Sequence, residues 1–250
     1  MSLRYYEITE ADHILCNPTS DAKLEYVAQA MRLQAGHTLL DFACGHGELL
    51  TRWADQYGIG GTGVDISTAF SASARQRAAR RGVSDRVEII EGDAAQFQSE
   101  RRYDFVSCVG ATWIGNGTVG TIDLMRPFLN GQPHNLLLVG EVFWKKEPPP
   151  EVLEAMGVKP GDWAVGLPAL ARVFDECGLD LIYLAISSED DWDRYYAQKF
   201  TTAWHWLRQN PDDPDAPGLK PWIEETRRAY IDYEREYCGW GLFVLAPRPR

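Results

Sequence analysis

Three carboxylates and two glycines in the first 95 residues carry the clearest chemistry of this 250-residue chain. Asp41 stands in "LLDFACGHGELL", where an apolar run gives way to Gly45 and Gly47, one residue apart. A backbone without Cβ atoms there lets ligand atoms approach the main chain, and the helix that follows aims its N-terminal amides into the turn. Asp65 ends "GTGVD", about twenty residues after the glycine turn, where a carboxylate can accept both hydroxyls of a ribose. Asp93, in "IIEGDAAQF", falls at the end of the next apolar run and can accept a hydrogen bond from an adenine amino group. The spacing points to an adenosine ligand.

NAD is one such ligand, but the third glycine of the G-x-G-x-x-G fingerprint falls at Leu50. The acid four positions before Gly45 also suits an ammonium group better than a pyrophosphate. His46, inside the turn, is expected to face solvent or cofactor.

These residues need a sheet to hold them at one edge. From Thr38 to Leu138 short β-branched runs alternate with helical stretches, the pattern of stacked βαβ units. The spacing predicts helices over about 21–33, 47–57, 68–81, 119–129 and 167–177, with strands between them. "KKEPPPEVLEAMGVKPGDW" (145–163) reads as an extended linker, because three successive prolines disfavour a helix. The stretch 189–237 is helical in pattern, broken at "NPDDPDAPG", and too long for an ordinary connection, so it is expected to form a cap before a last strand, "WGLFVLAP". Aromatic residues at helical spacing in it, Trp192 to Trp206, are expected mainly to anchor the cap on the core.

The size fits one domain. Its expected parts are an N-terminal lid segment and helix (1–35), a cofactor-binding half (36–143), a linker and return to the sheet (144–188), the cap (189–237), and the last strand and tail (238–250). A formal charge of -11 argues against a nucleic-acid partner, and no apolar run approaches the roughly 20 residues of a membrane span. The arginines of "SARQRAARRG" are read as a solvated helix face. Five scattered cysteines without a CxxC spacing suggest reduced, mostly core thiols and no metal site. With no secretory signal, the expected compartment is the cytoplasm; the oligomeric state is not legible.

Taken together, "LLDFACGHG", "GVDIS" and "EGDAAQF" resemble the first three motifs of the class I S-adenosylmethionine-dependent methyltransferases, over about residues 36–143. The resemblance implies a Rossmann-like α/β fold with a seven-stranded, mostly parallel sheet whose last strand is antiparallel. It implies S-adenosylmethionine as cofactor and S-adenosylhomocysteine as product. Gly45 and Gly47 would flank the methionine moiety, with Asp41 positioning it. Asp65 would hold the ribose, Asp93 with Ala94 would read the adenine, and Ile66 and Val109 would complete the cofactor site. "CVGATWIGNG", "GEVFW", "DDWDRYY" and "CGWGLF" further resemble bacterial small-molecule methyltransferases of the ubiquinone and menaquinone type.

Methyl transfer is an in-line displacement that needs a held nucleophile, exclusion of water and, for a protonated acceptor, a base. The chain lacks the Asn/Asp-Pro-Pro-aromatic signature of enzymes acting on macromolecular amide or base nitrogens, so a small-molecule acceptor is expected, reacting at N or O. Glu141 and His13 are candidate bases, with a structural acid and a packing histidine as the alternatives. Trp113, Trp192 and Tyr195 are candidate walls of the acceptor pocket, and Tyr5, Tyr6 and Asn17 candidate parts of a lid. Two other functions stand beside this one: an NAD-dependent oxidoreductase, and a protein that binds the cofactor without transferring methyl.

Overall fold

Each apolar run of the first half is short and is followed by a helix able to carry the chain back, which is what parallel pairing requires. The computed structural model describes residues 3–158 and 165–248. Its strands are β1 (Thr38–Phe42), β2 (Gly60–Asp65), β3 (Val87–Glu91), β4 (Phe105–Val109), β5 (Leu136–Trp144), β6 (Leu179–Ile186) and β7 (Cys238–Pro247). They form one seven-stranded sheet in the order β3-β2-β1-β4-β5-β7-β6. β7 runs antiparallel to both neighbours and the other pairings are parallel, as the sequence led one to expect. The order reverses between β1 and β4, so a crevice opens at their carboxyl ends, where such sheets bind ligands.

The helices are α1 (Leu3–Thr9), α2 (Asp21–Ala30), α3 (Glu48–Tyr57), α4 (Thr68–Arg80), α5 (Thr118–Met125), α6 (Pro150–Ala155), α7 (Leu167–Glu176), α8 (Glu189–Gln209) and α9 (Ala216–Ala229). One face of the sheet buries Leu24, Val27, Trp53 and Ala74 from α2, α3 and α4. The other buries Ile122 and Phe174 from α5 and α7, with Phe42 and Phe243. Among the described residues no helix is long and apolar enough to cross a membrane.

Two sequence expectations are corrected here. The proline run does not stay extended: Pro149 is extended, and Pro150 opens α6, because proline's fixed φ and missing N–H fit the first position of a helix. Residues 159–164, the end of that expected linker, lie outside the described residues. The α4 arginines are not simply solvated. Arg77 and Arg81, with Arg52 of α3, converge on the buried carboxylate of Glu48, and Arg75 donates to the Ile89 carbonyl at 3.0 Å. That cluster fixes α4 against α3 directly behind the glycine turn.

Candidate active site

The turn after β1 is made of left-handed backbone: φ is +54° at Ala43, +55° at Gly45 and +67° at Gly47. This conformation costs an L-residue roughly 1–2 kcal/mol, which accounts for glycine at two of the three positions. The two glycines do different work. Gly45 borders the cavity described below and donates its N–H to Asp65 Oδ2 at 2.7 Å. Gly47 does not border it; a Cβ there would lie 2.8 Å from the Cβ of Ala74, so this glycine lets α3 close onto α4. Gly47 thus serves the turn by helix packing, with Gly45 the glycine that faces the cavity.

Asp65 also accepts the Ser67 N–H on Oδ1 at 2.9 Å, leaving each carboxylate oxygen a further lone pair for a ligand. Burial pushes its carboxyl up from the ordinary aspartate value. Asp41, 3% exposed, accepts the Ser107 hydroxyl at 2.6 Å, and burial pushes its pKa up to about 7, opposed by that hydrogen bond and supported by the nearby Asp65 charge. A cation placed beside Asp41 would reverse much of that shift. Asp93 caps the short turn Ala94–Gln96 through the Ala95 N–H at 2.9 Å.

A cavity of about 1070 Å³ lies at this edge of the sheet, and Asp41, Gly45, Asp65, Ile66, Asp93, Ala94 and Val109 all line it. Small-molecule sites run from about 300 to 1,000 Å³, so the space admits a cofactor-sized ligand and a second small molecule. Trp113, Glu141, Trp192 and Tyr195 line it too. Trp113 is 69% exposed at the rim, which excludes core packing as its role. Trp192 is buried, stacks nearly parallel on Tyr196 with ring centroids 6.0 Å apart, and leaves its Nε1–H without a partner among the described residues.

The two candidate bases fare differently from the cofactor residues. Glu141 borders the cavity, but its Oε2 accepts the hydroxyls of Thr112 (2.5 Å) and Thr118 (2.9 Å) and its Oε1 accepts the Val142 N–H (2.9 Å). The two threonine bonds support the structural-acid alternative by tying the loop after β4 to β5. His13 does not line the cavity. It is buried, its Nε2–H donates to the Tyr195 carbonyl at 3.0 Å, and its Nδ1 has no partner among the described residues. Burial lowers its pKa, so it packs the N-terminal segment against α8 as a neutral ring.

His46 is buried as well: its Nε2–H donates to the Glu10 carbonyl at 3.0 Å, closing the N-terminal segment over the glycine turn. Asn17 extends that cover, donating to the Val109 carbonyl at 3.3 Å, and Gly110 has room for it only because it lacks a Cβ. Tyr5 and Tyr6 pack on Trp222 of α9, and Tyr6 also borders the cavity. Cys16 and Cys44 line the cavity, so the thiols are less core-bound than expected.

Several lining residues escape the sequence reading. Glu10 is 3% exposed; its Oε1 accepts the Tyr195 hydroxyl at 2.6 Å and meets the Lys199 ammonium at 2.8 Å. Burial pushes the Glu10 carboxyl up, but Lys199 and Tyr195 outweigh it and hold the group below the usual glutamate range. Lys199, 4% exposed, sits over the rings of Tyr195 (4.8 Å), Tyr6 (5.2 Å) and Tyr196 (5.6 Å). Glu234 comes from a π-helical turn after α9, receives the Tyr196 hydroxyl, and is pushed up by burial. A signal for Lys199 was present: Trp192, Tyr195, Tyr196 and Lys199 share one face of a helix by the i, i+3, i+4, i+7 rule. Nothing local marks Glu10 or Glu234.

Comparison with known proteins agrees with this geometry. The family model of mycolic acid cyclopropane synthetases matches residues 5–116. The Escherichia coli protein YjhP is 37% identical over 246 residues, 98% of each chain. A methyltransferase from Geobacter sulfurreducens, solved with S-adenosyl-L-homocysteine, is 40% identical over 99% of each chain with a TM-score of 0.93. A second, from Thiobacillus denitrificans and solved with the same ligand, is 38% identical over 99% of each chain with a TM-score of 0.91. On identity sustained over nearly its whole length, the chain belongs to the class I S-adenosylmethionine-dependent methyltransferases.

Proposed function

We propose that the chain binds S-adenosylmethionine at the carboxyl edge of β1, β2 and β4 and transfers its methyl group to a small molecule held in the same cavity. The observation that carries this is the convergence of Asp41, Gly45, Asp65, Asp93 and Ala94 on one end of a cavity too large for the cofactor alone. The buried Asp41 carboxyl would receive the ammonium of the methionine moiety, the free lone pairs of Asp65 the ribose hydroxyls, and Asp93 the adenine amino group. When bound, the cofactor supplies an electrophilic methyl on a sulfonium. The protein contributes position and dryness: the segment around Glu10 and Asn17 covers the glycine turn, and the aromatic face of α8 forms a further wall of the cavity.

A small-molecule acceptor is supported by the enclosure and by the formal charge of -11, which repels polyanions. The finer kinship with ubiquinone and menaquinone methyltransferases rests on stretches such as "CVGATWIGNG" and says nothing of the acceptor. Thermal unfolding with S-adenosylmethionine, S-adenosylhomocysteine and NAD in parallel tests the reading. A ligand at roughly 100 times its Kd adds about 2.7 kcal/mol, or roughly 5–10 °C in Tm for a chain of this size. The two sulfur ligands should shift the wild type and fail to shift Asp65→Ala. A shift by NAD alone would return the glycine turn to a dehydrogenase.

A further inference from the structure

A second part of the cavity wall, carried by the N-terminal segment, α8 and the turn after α9, is formed by Glu10, Trp192, Tyr195, Tyr196, Lys199 and Glu234. Its charge arrangement is selective. The Lys199 ammonium is already paired with Glu10 Oε1 at 2.8 Å and donates to the Tyr195 hydroxyl at 3.0 Å, so an anionic guest would have to compete for it. Glu10 Oε2, by contrast, is buried and receives no N–H or O–H donor among the described residues, the Cys16 thiol beside the carboxyl being only a weak donor. A buried carboxylate oxygen left without a donor costs free energy that a guest N–H would recover. Three tyrosine rings already hold one ammonium within 4.8–5.6 Å, and the stacked Trp192 and Tyr196 rings extend that π surface.

Resting on the methyltransferase reading, we propose that the methyl acceptor is a small amine with an apolar or aromatic body, its N–H directed at Glu10 Oε2 and its body against Trp192 and Tyr196. The bound ammonium must lose one proton before its nitrogen can act as a nucleophile. The N–CH₃ bond then forms as the S–CH₃ bond breaks, with its electron pair left on sulfur. The proton leaves by way of Glu234, the carboxyl on the same wall, or by water.

Calorimetry on the S-adenosylhomocysteine-loaded protein tests this with three matched probes: 2-phenylethylamine, 2-phenylethanol and phenylacetate. The amine should bind roughly tenfold or more tightly than either of the others, the difference a charge-assisted hydrogen bond makes. Equal or tighter binding of the alcohol, which the free Nε1–H of Trp192 would favour, overturns the proposal, as does preference for the carboxylate. Glu10→Gln should remove the amine's advantage while S-adenosylhomocysteine still binds. Because that change strands Lys199, the pair Glu10→Gln with Lys199→Met is measured beside it, and the wild-type ranking needs no variant. If Glu10→Gln instead abolishes S-adenosylhomocysteine binding, Glu10 faces the cofactor and the amine site is refuted. If the wild type never binds S-adenosylhomocysteine, it is the methyltransferase reading that fails.

Discussion

Binding of S-adenosylhomocysteine should release a proton from Asp41, and the size of the effect follows from its burial. In the free protein the Asp41 pKa is pushed up to about 7 from 3.8, chiefly by desolvation, so below neutrality most molecules carry a proton there. A ligand ammonium beside the carboxylate favours the charged form and drives the pKa back toward its ordinary value. Affinity must therefore rise with pH below 7 and level off above it. If the shift is fully reversed, affinity at pH 5 is about 100-fold weaker than at pH 8, or about 2.7 kcal/mol, with a limiting slope near one decade per pH unit. Asp65, whose carboxyl burial also raises, contributes a smaller part that belongs to the ribose. Titration calorimetry from pH 5 to 8, in buffers of different ionisation enthalpy, counts the protons directly. 5′-Methylthioadenosine, which has the ribose but no ammonium, supplies the Asp65 baseline. Asp41→Asn should bring the S-adenosylhomocysteine slope down to that baseline. A flat profile in the wild type, or the same slope in Asp41→Asn, would refute the placement of the ammonium at Asp41.

Two further outcomes test the scaffold. Gly47→Ala should lower stability by about 1–3 kcal/mol in urea, since it combines a φ of +67° with a Cβ 2.8 Å from that of Ala74. Adding Ala74→Gly should restore part of the loss; no restoration in the double variant would mean that the backbone alone sets the cost. Glu141→Ala removes the acceptor of the two hydrogen bonds that bind the 112–118 loop to β5, so amide hydrogen exchange there should quicken, by an amount matching about 1–3 kcal/mol. Unchanged exchange would return Glu141 to the list of candidate bases.

The two ends of the cavity differ in how the sequence encodes them. The cofactor end is written locally. A strand followed by a bare turn announces Gly45, and acids at the ends of successive parallel strands announce Asp65 and Asp93, because parallel strands of similar length bring their carboxyl ends to one edge whatever else the chain does. Even there Gly45 and Gly47 look alike in sequence, and only the approach of α4 to α3 separates the one that borders the cavity from the one that borders Ala74. The acceptor end is written in pairs far apart: Glu10 with Lys199, Tyr196 with Glu234, His13 with the Tyr195 carbonyl. Periodicity could place Lys199 on the aromatic face of α8, but it could not supply the carboxylate that meets it from a segment 189 residues earlier. His13 and Glu141 show the same limit from the other side. Each is the residue type that does proton chemistry, and each is engaged by neighbours that sequence spacing does not reveal, the Thr112 and Thr118 hydroxyls on Glu141 and the Tyr195 carbonyl on the His13 ring, whereas Glu10, a buried carboxylate bordering the same cavity, has no motif around it.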